Sequence, residues 1–315
     1  MDIHIVGAGS LGLLFGSKLA QVGANVTIYT RTSSQAVELQ DQGLSLITEM
    51  NLVTEKTSAV KIRVWDEIED SYCIEENAWI LLTMKQKDLT DAFARKLQHV
   101  LGETGRVCCF QNGVGHVQFL EQYLQPQQIY TAITTEAARR DEGAVVRHTG
   151  QGETRIGRMG GHAEASEHEI HLINWLQRAG FKAFMSKNID MDVYRKLLIN
   201  AVINPLTAIM RIKNGQLLET SERVQCMRWL YEETMFIYRA HNIPVEQNLW
   251  EQVNQVCRST SANTSSMLKD ILNGTESEIK WINGSLLRMA DDLGIDAPVN
   301  RMVYTLVKAM HQSNT

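Results

Sequence analysis

The sequence predicts an α/β domain with a mostly parallel, doubly wound sheet, followed by an all-α domain. Short apolar β-type runs alternate with helical patterns through the first half, at the spacing of βαβ units. A glycine-rich turn, Gly7-Ala8-Gly9-Ser10-Leu11-Gly12, joins the first apolar run to the first helical one. From about Ser186 the Val, Ile and Thr runs give way to long patterns of helical period. Gly180–Lys187 is the natural boundary, which gives two domains, residues 1–184 and 185–315. A chain of 315 residues agrees with that count at roughly 150 residues per domain.

In chain order, Ile3–Val6 is the first strand, Ser10–Gln21 the first helix and Val26–Tyr29 the second strand, with a helical stretch after it. Further strands are expected at Trp79–Thr83, Val107–Phe110 and Ile129–Thr134. The segment Ala144–Ile156 carries Val146 and His148, then Gly150 and Gly152, and is expected to add a hairpin or an edge to the sheet. A last strand feeds helices expected over 188–210, 221–241, 246–257, 264–272, 278–293 and 299–312. Asn-Gly at 214–215 and 273–274, and Asn-Ile-Pro at 242–244, punctuate them. Trp229, Tyr231, Phe236 and Tyr238 are expected in the core rather than at an interface.

With 44% hydrophobic and 21% charged residues the chain is neither disordered nor a disulfide scaffold. A net charge of −5 argues against a nucleic-acid partner, which needs a basic footprint. No uncharged stretch reaches the ~18 apolar residues of a spanning helix, and no cationic region precedes an N-terminal apolar core, so neither membrane nor secretion is expected. Cys73, Cys108, Cys109, Cys226 and Cys257 form no CxxC pair. They read as buried, reduced thiols, with no metal, in a cytoplasmic protein.

The glycine turn stands where a dinucleotide phosphate binds. Gly7 permits the tight turn, Gly9 admits the pyrophosphate to the backbone, and Gly12 lets the helix pack closely. Ala8, Ser10 and Leu11 complete a loop whose helix N-terminus offers oriented N–H groups to anions. The end of the second strand discriminates between nicotinamide cofactors. An NAD site usually has a carboxylate there, whereas this chain has Thr30-Arg31-Thr32-Ser33-Ser34. Arg31 would pair with a 2′-phosphate, so the cofactor expected is NADP(H).

The most specific block is Tyr194–Gly215, YRKLLINAVINPLTAIMRIKNG. Lys196, Asn200 and Asn204 fall along one stripe of one helix, between apolar Leu197, Leu198, Ile199, Val202 and Ile203. Such groups need partners if buried. Taken alone, the stripe also fits a lysine snorkelling to water beside asparagines that satisfy helix ends. With the glycine turn, the block resembles the ketopantoate reductase family. Thr83-Met84-Lys85, Phe110–Gly115, Glu136–Arg140, His148-Thr149-Gly150, Asn263–Leu268 and Ser277–Gly284 match in order over nearly the whole chain.

The resemblance implies a Rossmann-type N-terminal domain and an all-α C-terminal domain like that of 6-phosphogluconate dehydrogenase. It implies NADPH-dependent reduction of 2-dehydropantoate to (R)-pantoate, on the route to pantothenate and coenzyme A, by a cytoplasmic enzyme that forms a homodimer. Lys196 would be the proton donor, its reference pKa of ~10.4 lowered by burial. Asn112, Asn200, Asn204, Asn214, Asn263 and Ser266 would hold the 2-oxo acid with Lys196. Lys85, Asn112, Ala138 and Glu278 would contact the cofactor, and Glu278 would sustain the charge of Lys196. Closure of the two domains is expected to bring Lys196 to the nicotinamide. The chain departs from the family pattern at Ser277 and Lys280, at Asp88, and in lacking an Arg before Thr275, which bears on fine substrate contacts. A paralogue acting on another branched 2-oxo acid, or a non-catalytic NADP(H) sensor, are the alternative readings.

Overall fold

The computed structural model describes residues 1–48, 51–57, 60–69, 71–161 and 166–311. The chain divides into two compact units, residues 1–111 with 116–189, and residues 112–115 with 190–315. The first unit begins β1 (Asp2–Val6), α1 (Ser10–Gln21), β2 (Asn25–Thr30), α2 (Ser33–Gln42), β3 (Leu44–Thr48), β4 (Asn51–Thr57), β5 (Val60–Val64) and β6 (Trp79–Leu82). It continues α3 (Asp91–Leu101), β7 (Arg106–Cys109), α4 (His116–Leu120), β8 (Ile129–Thr134), β9 (Ala137–Arg140), β10 (Val145–Gly150), β11 (Glu153–Gly157), α5 (Glu167–Arg178) and β12 (Lys182–Met185).

The eight-stranded sheet runs β12-β11-β8-β7-β6-β1-β2-β5. From β8 to β5 every neighbouring pair is parallel, and β11 joins antiparallel to β8. The α/β fold class is the expected one. From β1 the chain winds outward to β2 and β5, then returns to β6 and winds the other way. That reversal places a crevice at the carboxyl ends of β1 and β6, where open α/β sheets bind ligands. Ile3, Ile5, Val26, Ile28, Ile80 and Leu81 are wholly buried, as a sheet covered on both faces requires.

Of the hairpin or sheet addition expected at 144–156, the hairpin does not form and the addition does. β10 and β11 are not partners, because β11 extends the main sheet while β10 enters a second sheet of order β4-β3-β10-β9. Period-two alternation fixes which face of a strand is buried and says nothing of its neighbour. Gly150-Gln151-Gly152 makes the transfer between sheets. A Cβ at Gly152 would lie 2.3 Å from the Thr135 carbonyl carbon, so the chains pass in backbone contact there.

The second unit holds α6 (Ile189–Met210), α7 (Ser221–Ala240), α8 (Leu249–Ser259), α9 (Ser266–Leu272), α10 (Asn283–Asp292) and α11 (Pro298–Met310). Its core joins Leu197, Leu198, Ala201 and Val202 of α6 to Leu230, Ile237, Leu286 and Val303. A helix apolar on most faces is a buried one, so its polar positions stand out. Tyr238 is fully buried, but Trp229 and Phe236 on the same helix are 51% and 56% exposed, against the expectation that all four aromatics are core. The thiols are all free. Cys108, Cys109 and Cys257 are buried, while Cys73 is exposed, contrary to expectation. No described helix is long and apolar enough to cross a membrane.

The core of the first unit has an aromatic centre. Phe15 of α1 stacks on Phe181 at 4.2 Å and meets Phe110 edge-on at 5.0 Å. The Lys18 ammonium lies 4.4 Å from the Phe181 ring centre. Phe181→Ala is expected to remove about 3–5 kcal/mol of stability, read as an earlier urea transition of this unit.

Candidate active site

The glycine turn is built as its sequence requires. Gly7 has φ +114°, and its N–H bonds to Tyr29 O at 3.0 Å. A Cβ at Gly12 would lie 1.9 Å from Gly7 O and 2.6 Å from Thr83 Oγ1, so only glycine lets α1 start this close to the strands. Thr83 Oγ1 donates to Gly7 O at 2.8 Å and ties the end of β6 to the turn. Gly9 caps α1 without a side-chain hydrogen bond, and its Cβ would meet nothing within 4 Å. The first turn of α1 therefore starts beside open space at Gly9, with no acidic residue in it. Ala8 lies beneath, its carbonyl accepting from Gln35 Nε2 at 3.0 Å.

Arg31 follows β2 and is 74% exposed, 3.6 Å from Asp88. It borders two hollows. One, of about 380 Å³, is lined by Gly7, Tyr29, Arg31, Met84, Lys87 and Phe93 among others. The other, of about 370 Å³, is lined by Arg31, Thr32, Ser34, Gln35, Glu38 and Arg140. Arg140 was not singled out by the sequence. Its backbone N–H donates to Ser10 Oγ at 3.0 Å, and its guanidinium pairs with Glu38 at 2.6 Å. Ala138 lies two residues earlier on β9, an edge strand of the small sheet. Glu136 and His148 form a buried pair at 2.6 Å beside it. Lys85 is half-buried and caps the short turn Gln86–Asp88.

The remaining predicted residues lie in the helical unit, and Asn112 is among them. Lys196, Asn200 and Asn204 stand along α6. Burial pulls the Lys196 ammonium from its ordinary value of 10.5 down to about 8, and the Glu278 carboxylate opposes that shift. Glu278 opens the short turn Glu278–Lys280 and accepts from Asn112 Nδ2 at 2.8 Å. Glu276, two residues before Glu278, is exposed and lines a different hollow with Arg211, Lys308 and His311. Lys280 is exposed, its ammonium 5.4 Å from the Trp281 ring centre.

Hydrogen bonds to two turns arrange the other asparagines. Asn214 N–H donates to Asn263 O at 3.1 Å, which sets these residues side by side. Asn214 Nδ2 goes to Thr260 Oγ1 at 2.9 Å, and its Oδ1 is buried with no protein partner. Asn204 is buried, while Asn263 and Ser266 are exposed. Thr207 Oγ1 bonds to Asn204 O at 2.9 Å and to Ser265 Oγ at 2.8 Å. Ser265 caps α9, so this contact ties the start of α9, where Ser266 lies, to α6.

Gly113 lets the Asn112 segment approach Glu278. It has φ +84°, and a Cβ would fall 2.0 Å from Trp281 O. Val114 N–H reaches the same oxygen at 3.4 Å. Gly113→Ala is expected to destabilise the helical unit by about 2 kcal/mol or more, seen as a lower Tm.

Residues 3–161 match the ketopantoate reductase PanE/ApbA family, and residues 188–311 match the ketopantoate reductase PanE/ApbA C-terminal family. A 2-dehydropantoate 2-reductase of Bacillus subtilis (strain 168) is 31% identical over 99% of this chain and 98% of its own. One from Archaeoglobus fulgidus is 30% identical over 98% and 97%. Among solved structures, a PanE/ApbA family ketopantoate reductase from Ralstonia eutropha JMP134 superposes with TM-score 0.87 at 26% identity, covering 99% and 98%. A D-mandelate dehydrogenase solved with NADH and anilino(oxo)acetate shares the fold, with TM-score 0.87 at 24% identity over 99% and 98%. By matches that span both units, the chain belongs to the ketopantoate reductase family, a family of enzymes.

Proposed function

We propose that this chain reduces 2-dehydropantoate to (R)-pantoate with NADPH. The observation that carries the reading is Lys196, an ammonium held near 8 on a helix that also bears Asn200 and Asn204, with Glu278 supporting its charge. A group with that pKa is protonated at neutral pH and gives up its proton readily. NADPH, when bound, supplies the hydride that goes to the ketone carbon. Lys196 Nζ polarises the ketone oxygen and delivers its proton there, which completes the alcohol. Asn200, Asn204, Asn214, Asn263 and Ser266 hold carboxylate and hydroxyl oxygens as neutral partners. The unpaired Asn214 Oδ1 suits a substrate hydroxyl donor.

The cofactor fits the chain's own residues. The uncapped start of α1 and the open space over Gly9 accommodate a pyrophosphate. Arg31, Thr32 and Ser34 line a hollow suited to a 2′-phosphate, which supports NADP(H) over NAD(H). Lys85, the Ala138 backbone, Asn112 and Glu278 complete the cofactor contacts in this reading. A cytoplasmic homodimer accompanies it, and the exposed Trp229 and Phe236 offer an apolar surface for self-association.

NADPH absorbance is expected to fall when 2-dehydropantoate is added, and Lys196→Ala should lower kcat by about a thousandfold. Because the lysine must be protonated, kcat should fall as pH rises through about 8. Arg31→Ala should raise KM for NADPH about tenfold and leave KM for NADH unchanged. Turnover of a different branched 2-oxo acid, with none of 2-dehydropantoate, would replace the substrate. NADPH binding without turnover of any 2-oxo acid would leave a sensor.

A further inference from the structure

Helix α6 contains Pro205. Proline has no N–H, so the carbonyl of Ala201, four residues earlier, loses its helical partner. Ala201 is fully buried, and an unsatisfied carbonyl there would be costly. The missing donor comes from another helix. Asn283 Nδ2 reaches Ala201 O at 3.0 Å, and its second hydrogen goes to Asn300 Oδ1 at 2.9 Å. Asn300 Nδ2 then donates to Glu233 Oε1 at 2.8 Å, and Glu233 also accepts the N–H groups of Val299 and Asn300 at the start of α11. A carbonyl only accepts, so the orientation of the Asn283 amide follows from chemistry. Its Oδ1 has no partner, so the position uses the two donors alone.

Asn283 is also well placed. It opens α10 directly after the turn in which Trp281 and Ile282 N–H groups close on Glu278 O at 3.0 and 3.1 Å. Ala201 follows Asn200 and lies five residues beyond Lys196 on α6. One amide therefore joins the lysine-bearing helix to the glutamate-bearing turn.

We propose that Asn283 is a positioning residue, which fixes Glu278 relative to Lys196 by giving Ala201 O the hydrogen bond that Pro205 removes. The inference rests on reading Lys196 as the proton donor. Asn283 is wholly buried and acts through the two residues it aligns. Pro205→Ala separates its two effects, because the restored N–H satisfies Ala201 O without tying α6 to the turn.

The test compares wild type, Asn283→Ala, Pro205→Ala and the double variant as full-length protein. Three readouts apply: Tm, the pH profile of kcat with NADPH and 2-dehydropantoate, and the pH dependence of Lys196 acylation by an amine-selective reagent, followed by mass spectrometry without substrate. Asn283→Ala should lower Tm, reduce kcat roughly tenfold, and move both pH midpoints down by roughly half a unit, because Glu278 no longer supports the lysine charge. In the double variant Tm should recover toward that of Pro205→Ala while the pH midpoints stay displaced. Unchanged midpoints in both variants, or midpoints restored with Tm in the double variant, would overturn the proposal and leave Asn283 a structural donor. Should Asn283→Ala fail to fold, the double variant decides alone. Wild type inactive on 2-dehydropantoate would count against the proposed reaction, and the acylation midpoints would still judge Asn283.

Discussion

The structure is organised around one half-buried lysine. Lys196 sits on α6, whose other faces supply the core of the helical unit, so its charge is held where water is scarce. Desolvation lowers the lysine's pKa, and Glu278 opposes that shift. The folded lysine titrates near 8 and the unfolded one near 10.5, so between these pH values the unfolded chain binds more protons and stability rises with pH. Below 8 the charged lysine weakens the fold. A residue chosen for stability alone would be apolar here.

The glycine turn meets a different constraint. Gly7, Gly12 and Thr83 bring three pieces of backbone close enough to exclude any β-carbon, which fixes the start of α1 relative to β1 and β6. The helical unit repeats the device on a smaller scale at Gly113, where absence of a side chain lets Asn112 reach Glu278. In both places a glycine supplies proximity, and a neighbouring polar group acts at the position it creates.

Much of this was legible in the sequence because it is local. The strand–turn–helix signature locates Gly7–Gly12, and helical spacing aligns Lys196, Asn200 and Asn204. What escaped was pairing at a distance. The alternation in Val145–Gly150 was readable, but its partner β3 lies about a hundred residues earlier in sequence, and the second sheet was missed. Arg140 escaped because it acquires meaning only beside Arg31 and Ser10. Asn283 had a readable cue, since Pro205 in a helical block announces a carbonyl in need of a donor, but nothing local says which residue provides it. Trp229 and Phe236 misled because hydrophobicity alone does not say which side of a helix is covered.

The segment Asn112–Gly115 belongs to the helical unit although the chain on both sides of it belongs to the α/β unit. The helical unit is thus discontinuous in sequence. Severing the chain after Ile189 would leave the C-terminal fragment without the amide that holds Glu278, however well its helices packed. During synthesis the segment emerges long before its partner Trp281, so it must wait, exposed, until the last third of the polypeptide has been made. The two halves of this chain are separate in architecture but not in assembly.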